Sequence, residues 1–277
     1  MPTIRALDGF FVRRDAAASE KEEQDNVSIP PLFKNFRLST RDWADFEAKL
    51  AKTINATTPP RDIKVVYFIR HGEGVHNEIE KAYGDEWWDT KESRSEKYLD
   101  TGLTEAGIND ARNKGPAPLA TERANGMPTI ERVVVSTLSR TIQTAQNFFE
   151  GYPVASPQFV SMELCRERLG MHTPNKRTTL TKLKAKFPTV NFAFKGAEIL
   201  DEEDVLWDPN HMETDPEIQV RAVQFLEQFF DVIPDTHVAV VAHYKLIWGM
   251  WAVMHPQGAE VTPDNCEVVP IVLERVH

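Results

Sequence analysis

The apolar positions of this chain follow two alternating patterns. Compact apolar runs rich in β-branched and aromatic residues occur at "IKVVYFIR" (63–70), "ERVVVST" (131–137), "HVAVVAH" (237–243) and "CEVVPIVLERV" (266–276), with a shorter one inside "VASPQFVSMEL" (154–164). Runs of this kind predict strands, most of them buried on both faces. Between them the apolar residues recur at helical spacing. "STRDWADFEAKLAKTI" (39–54) brings Trp43, Phe46, Leu50 and Ile54 onto one face behind a Ser/Thr cap signal. "LTEAGINDARNKG" (103–115) predicts a helix capped by Thr104 and stopped by Gly115. "LSRTIQTAQNFFEG" (138–151), "RTTLTKLKAKF" (177–187) and "KLIWGMWAVMH" (245–255) are further helices. "PEIQVRAVQFLEQFFDVI" (216–233) is the strongest amphipathic helix, with Pro216 suited to its first turn.

Buried strands alternating with helices predict an α/β fold with a mostly parallel sheet covered on both faces. Residues 1–62 read as an N-terminal extension packing on the core, and 63–277 as the α/β domain, with 78–102 and 165–215 inserted as a cap of loops and helices. The polar run "DAAASEKEEQDN" (15–26) reads as a loop or helix surface, the acidic run 198–204 as a solvated face, and Trp87 and Trp88 as cap packing.

Charge and composition narrow the partners. A net charge of −10 and a pI near 5.4 argue against nucleic acid or an anionic membrane surface. The two cysteines, Cys165 and Cys266, have no metal-ligand spacing, so neither a disulfide framework nor a metal site is expected. No run of apolar residues is long enough for a membrane span or a leader's apolar core, so the expected compartment is the cytoplasm. The oligomeric state is not legible.

In parallel sheets of this class, ligands bind beyond the carboxyl ends of the strands. That rule selects residues 70–77, 136–141, 163–172 and 243–245. They bring two imidazoles, several guanidiniums and a carboxylate to one edge, a set suited to phosphoryl transfer through a covalent intermediate. Arg70 and Arg140 match the oxygens of a phosphate dianion. Gly72 lets backbone approach the ligand, and Asn77 donates an amide N–H. His71 is the nucleophile, with one ring nitrogen held by an acceptor so that the other is unprotonated. His243 donates to the phosphoryl oxygens in the transition state. Glu167, with Glu163 as the alternative, protonates the leaving oxygen and then activates water. His172 and Arg177 lie close enough in sequence to reach the substrate.

These segments resemble a family. "RHGEGVHN" is similar to the RHGExxxN signature of the histidine phosphatase superfamily, in its phosphoglycerate mutase-like branch. "LTEAGINDA" resembles LTxxGxxQA, with Asp110 in place of glutamine, and "STLSRTIQTA" resembles SPLxRTxQTA, with Thr137 in place of proline. "ELCRERLGMHTPNKR" resembles the LCREHxGxHxCDKR of plant and fungal mutase-like phosphatases, with Pro174 and Asn175 in place of Cys and Asp. The resemblance implies a three-layer α/β/α sandwich and no metal or other cofactor. It implies a phosphate pocket of Arg70, His71, Asn77, Arg140 and His243, with Glu167 as proton donor. The expected activity is hydrolysis of a small phosphorylated metabolite through a phosphohistidine; a phosphomutase is the alternative within the same chemistry. One departure opens a third reading, a binding protein on this fold. After its second histidine the family has a small residue, and this chain has Tyr244 and Lys245, which fill or reshape that wall.

Overall fold

The computed structural model describes residues 3–13, 33–199 and 201–276; the polar run 15–26 lies outside them. Eight strands are present among these residues: β1 (Thr3–Ala6), β2 (Phe11–Arg13), β3 (Phe36–Leu38), β4 (Asp62–Arg70), β5 (Arg132–Ser136), β6 (Val160–Met162), β7 (His237–Ala242) and β8 (Val268–Val276). Six of them form one sheet in the order β1-β8-β4-β7-β5-β6. β4, β7, β5 and β6 run parallel, while β8 is antiparallel to β4 and β1 antiparallel to β8. The four parallel strands therefore end on one edge. β2 and β3 pair separately.

The strand sequences explain the layers. Along β4 the side chains alternate between two buried faces: Val65, Tyr67 and Ile69 join one apolar cluster, and Val66 and Phe68 the other. The first cluster is covered by α1 (Trp43–Ile54), through Trp43, Phe46 and Leu50, and by α5 (Ser139–Phe148), through Ile142, Ala145 and Phe148. The second is covered by α7 (Asp215–Val232), through Phe225, Leu226 and Phe229, and by α8 (Tyr244–Met254), through Leu246 and Ile247. Burying each large side chain contributes about 1.5–3 kcal/mol. The result is a three-layer sandwich with a mostly parallel sheet. The other helices of five or more α-helical residues are α2 (Val75–Tyr83), α3 (Glu105–Asn109), α4 (Pro116–Ala124) and α6 (Leu180–Lys186). No helix among the described residues is long and apolar enough to cross a membrane.

Three local expectations change. Gly115 does not stop its helix. The chain continues from α3 through a π-helical turn, Asp110–Lys114, into α4, with Gly115 itself at φ −61° and ψ −47°. A Cβ there would lie 2.6 Å from the Phe148 ring and 2.9 Å from Cys266, so the glycine serves close packing instead. The third strand shrinks to Val160–Met162. The acidic run is not wholly solvated. Asp204 has no exposed side-chain surface and holds Arg166 through both carboxylate oxygens, at 2.8 and 2.5 Å.

Candidate active site

β4 and β7 are neighbours in register, Arg70 opposite Ala242, so the residues that follow them meet. The His71 and His243 rings lie 5.0 Å apart, edge to face. Arg140 enters from the first turn of α5, just after β5, and Glu167 from the loop after β6. His71, Glu167 and His243 each bring one ring nitrogen or carboxylate oxygen within 4.8 Å of the other two.

His71 is almost fully buried, and its tautomer is fixed from both sides. Its Nδ1 is 2.7 Å from the Gly72 carbonyl, which only accepts, so Nδ1 carries the proton. Its Nε2 receives the Arg140 Nε–H at 3.3 Å, so Nε2 carries the lone pair. The Asn265 amide, donating to the His71 carbonyl at 2.7 Å, and the His71 N–H, donating to Ala242, fix the backbone. Burial, and then Arg140, Arg70 and His76, hold the imidazole well below its ordinary pKa. An unprotonated, aimed nitrogen is what a nucleophile requires.

The arginines of this region fall into two groups. Arg166 is paired with Glu163 and Asp204, Arg177 with Glu163, and Arg221 with Glu213. Arg140 is completely buried, yet its partners are uncharged: the Pro174 carbonyl at 2.7 Å, the Asn175 Oδ1 at 2.9 Å and His71. Burial pulls its pKa down to about 10, so it stays charged at neutral pH. Arg70 donates to the Pro263 carbonyl at 2.9 Å, while its buried Nε has no partner. Among the described residues neither Arg70 nor Arg140 is ion-paired. Two cations without ion pairs beside two neutral imidazoles attract a dianion.

The remaining polar groups are placed as follows. His243 Nε2 is 2.9 Å from Ser136 Oγ, and its buried Nδ1 has no partner; burial, then Arg140 and the neighbouring histidines, lower its pKa strongly. Asn77 Oδ1 accepts the Gly74 N–H at 3.1 Å at the start of α2, which leaves the NH2 group as its donor. Glu167 Oε1 accepts the backbone N–H groups of Arg168 at 2.8 Å and Lys245 at 3.2 Å. Glu163, the alternative acid, is held between Arg166 and Arg177 outside the triad.

Several residues expected at the ligand have partners within the protein. The Gly72 N–H donates to Thr144 Oγ1 at 2.9 Å, and a Cβ there would lie 2.7 Å from the Gly107 carbonyl, so this glycine lets α3 pack close. Arg177 is buried on Glu163 and the carbonyls of Thr178, Asp201, Glu202 and Glu203, with no donor left for the pocket. His172 Nε2 lies 3.3 Å from Asp89. The Tyr244 ring faces the Arg70 guanidinium at 5.4 Å, and Lys245 Nζ is 3.4 Å from Asp215.

His76, close to the motif in sequence, has its ring 6.0 Å from His71. Two further placements were not anticipated. Arg221 donates to the carbonyls of Leu164, Arg166 and Glu167 while gripped by Glu213, which fixes the loop bearing Glu167. Its signal was visible as a cation inside the apolar stripe Ile218, Ala222, Phe225. Asn175, on Arg140, had no signal beyond its departure from the resembled motif.

The neutral histidines make stability pH-dependent. With folded pKa values well below 6.5, His71, His76 and His243 stay unprotonated in a range where the unfolded chain binds protons, so stability falls as pH falls through 6.5. Buried Asp100, raised to about 6, takes up a proton on folding below that pH and offsets one of them. Each histidine not offset in this way costs at most about 1.4 kcal/mol per pH unit, so the protein is less stable at about pH 5 than at about pH 6.5. Urea unfolding at both pH values measures it; equal stability would contradict the neutral assignment.

An aimed histidine, two guanidiniums without ion pairs and a carboxylate thus meet at the sheet edge of an α/β sandwich. Residues 66–275 match the model of the histidine phosphatase superfamily (branch 1), and the chain belongs to that superfamily. It is 30% identical over 306 residues to phosphoglycerate mutase-like protein 2 of Arabidopsis thaliana, covering 88% of this chain and 84% of that one. It is 26% identical over 299 residues to the probable phosphoglycerate mutase PMU1 of Saccharomyces cerevisiae, covering 98% and 96%. Among solved structures, the phosphoglycerate mutase from Bacillus anthracis shares the fold with a TM-score of 0.50 at 18% identity, over 76% of this chain and 88% of that one.

Proposed function

We propose that the chain is a phosphoric monoester hydrolase acting on a small phosphorylated metabolite through a phosphohistidine on His71. The observation that carries the reading is the doubly fixed His71, its Nε2 lone pair lying against the unneutralised Arg140. In the first step Nε2 attacks phosphorus and the bond to the ester oxygen breaks. Glu167, as the acid, gives that oxygen its proton. In the second step the Glu167 carboxylate takes a proton from water, the water oxygen attacks phosphorus, and the Nε2–P bond breaks. Arg70, Arg140, Asn77 and His243 hold the phosphoryl oxygens throughout. The names of the relatives favour a second reading, a phosphomutase, in which the alcohol and not water receives the phosphoryl group.

Incubation with an aryl phosphate, an alkaline quench and peptide mapping test the first step; phosphate on His71 is expected. Absence of both the adduct and turnover overturns the enzyme reading and leaves a binding protein. Positional exchange in a metabolite without free phosphate release replaces hydrolase by mutase.

A further inference from the structure

We infer that Asn175 sets the anion affinity of this pocket, because its neutral amide leaves the buried Arg140 charge for the bound phosphoryl group. The inference rests on the phosphate reading of the site and deepens it. Asn175 is itself buried, and its Oδ1 accepts from one terminal nitrogen of Arg140 at 2.9 Å. The second terminal nitrogen goes to the Pro174 carbonyl at 2.7 Å, and Nε–H to His71 Nε2. These contacts satisfy the guanidinium's geometry without cancelling its charge.

The neighbourhood shows what cancellation looks like. Arg166, equally buried, donates to the Asn175 backbone carbonyl at 2.5 Å and is paired with Glu163 and Asp204. The same short segment thus meets two buried guanidiniums, one neutralised by carboxylates and one not. Asp100 attracts Arg140 but forms no ion pair with it, and its two oxygens accept the N–H and the hydroxyl of Ser139. Glu167 attracts Arg140 without forming an ion pair with it.

An uncompensated buried cation is costly until an anion arrives. Part of the affinity for a phosphoryl group is therefore stored in that cation. An aspartate at 175 has the same shape as asparagine and would form the missing ion pair. It would also place a negative charge beside the incoming dianion. The motif this segment resembles has aspartate here, so this chain departs from it in the direction of tighter anion binding.

The test compares Asn175→Asp with Asn175→Ala. Calorimetric titration with inorganic phosphate, at fixed ionic strength, gives the dissociation constants. Asn175→Asp raises the constant about ten- to a hundredfold. Asn175→Ala removes the hydrogen bond without adding charge and raises it by less. KM for an aryl phosphate follows the phosphate constant in Asn175→Asp, while kcat changes by a smaller factor. A constant unchanged in Asn175→Asp overturns the inference. So does equal weakening by Asp and Ala, which would assign the effect to the bond and not the charge, and so does failure of the unmodified protein to bind phosphate. Phosphate binding without a phosphohistidine removes the proposed reaction and leaves this inference standing. A phosphohistidine with full phosphate affinity in Asn175→Asp removes the inference alone.

Discussion

His71→Ala lowers turnover of any phosphate monoester by about 10⁴-fold or more and abolishes covalent phosphate on the protein. The size follows from the absence of a substitute. His243 is committed through Nε2 to Ser136. The His76 ring is 6.0 Å from His71, with its Nδ1 near Thr101 Oγ1 at 3.4 Å. Neither has its unprotonated nitrogen beside Arg140, as His71 does. Water replacing the lost ring finds Glu167 but no fixed nucleophile, so the residue of activity comes from electrostatics alone. Phosphate binding survives in the variant because Arg70 and Arg140 remain. Single-turnover kinetics with a radiolabelled ester, and calorimetry with inorganic phosphate, measure the two halves separately. Labelling that persists in His71→Ala would move the nucleophile to another residue.

Much of this site was legible because parallel sheets confine chemistry to one edge. Arg70-His71 and Ala242-His243 ended apolar runs, and two adjacent parallel strands ending together bring their successors together. Glu167 over Glu163 was a closer reading. The structure separates them by partners: Glu163 lies between two arginines, Glu167 on two backbone N–H groups. What failed were assignments by residue type. Arg177 and Gly72 have the right chemistry near the right motifs, but their partners are Glu163 and a loop of carbonyls in one case and α3 in the other. Asp204, read with its acidic neighbours, is the counterion of Arg166, and no local pattern announces a pair 38 positions apart. β1, an edge strand of four residues, was likewise unread because its pairing with β8 spans the whole chain. Tyr244, the departure that opened the reading of a binding protein, has its ring centroid 5.4 Å from the Arg70 guanidinium carbon.

Glu167→Gln separates the two chemical steps, and its effect depends on the leaving group. Glutamine keeps an Oε1 that accepts the N–H groups of Arg168 and Lys245, and the Arg221–Glu213 clamp still holds the loop, so geometry is preserved and only the proton is lost. An alkyl phosphate must leave as an alkoxide unless it is protonated. Its turnover falls about 10²- to 10⁴-fold, the usual worth of a general acid. A nitrophenyl ester leaves as a stable phenolate and forms the phosphohistidine at a rate much closer to the unmodified protein's. The second step has no such escape, because water must still be deprotonated. With the nitrophenyl ester the variant therefore releases one equivalent of phenolate in a burst and stalls with His71 phosphorylated; with the alkyl ester it shows no burst. Stopped-flow absorbance and quantification of the trapped adduct read both predictions. If both esters slow equally and no adduct accumulates, Glu167 is not the proton carrier, and the burst pattern sought in Glu163→Gln decides whether its neighbour is.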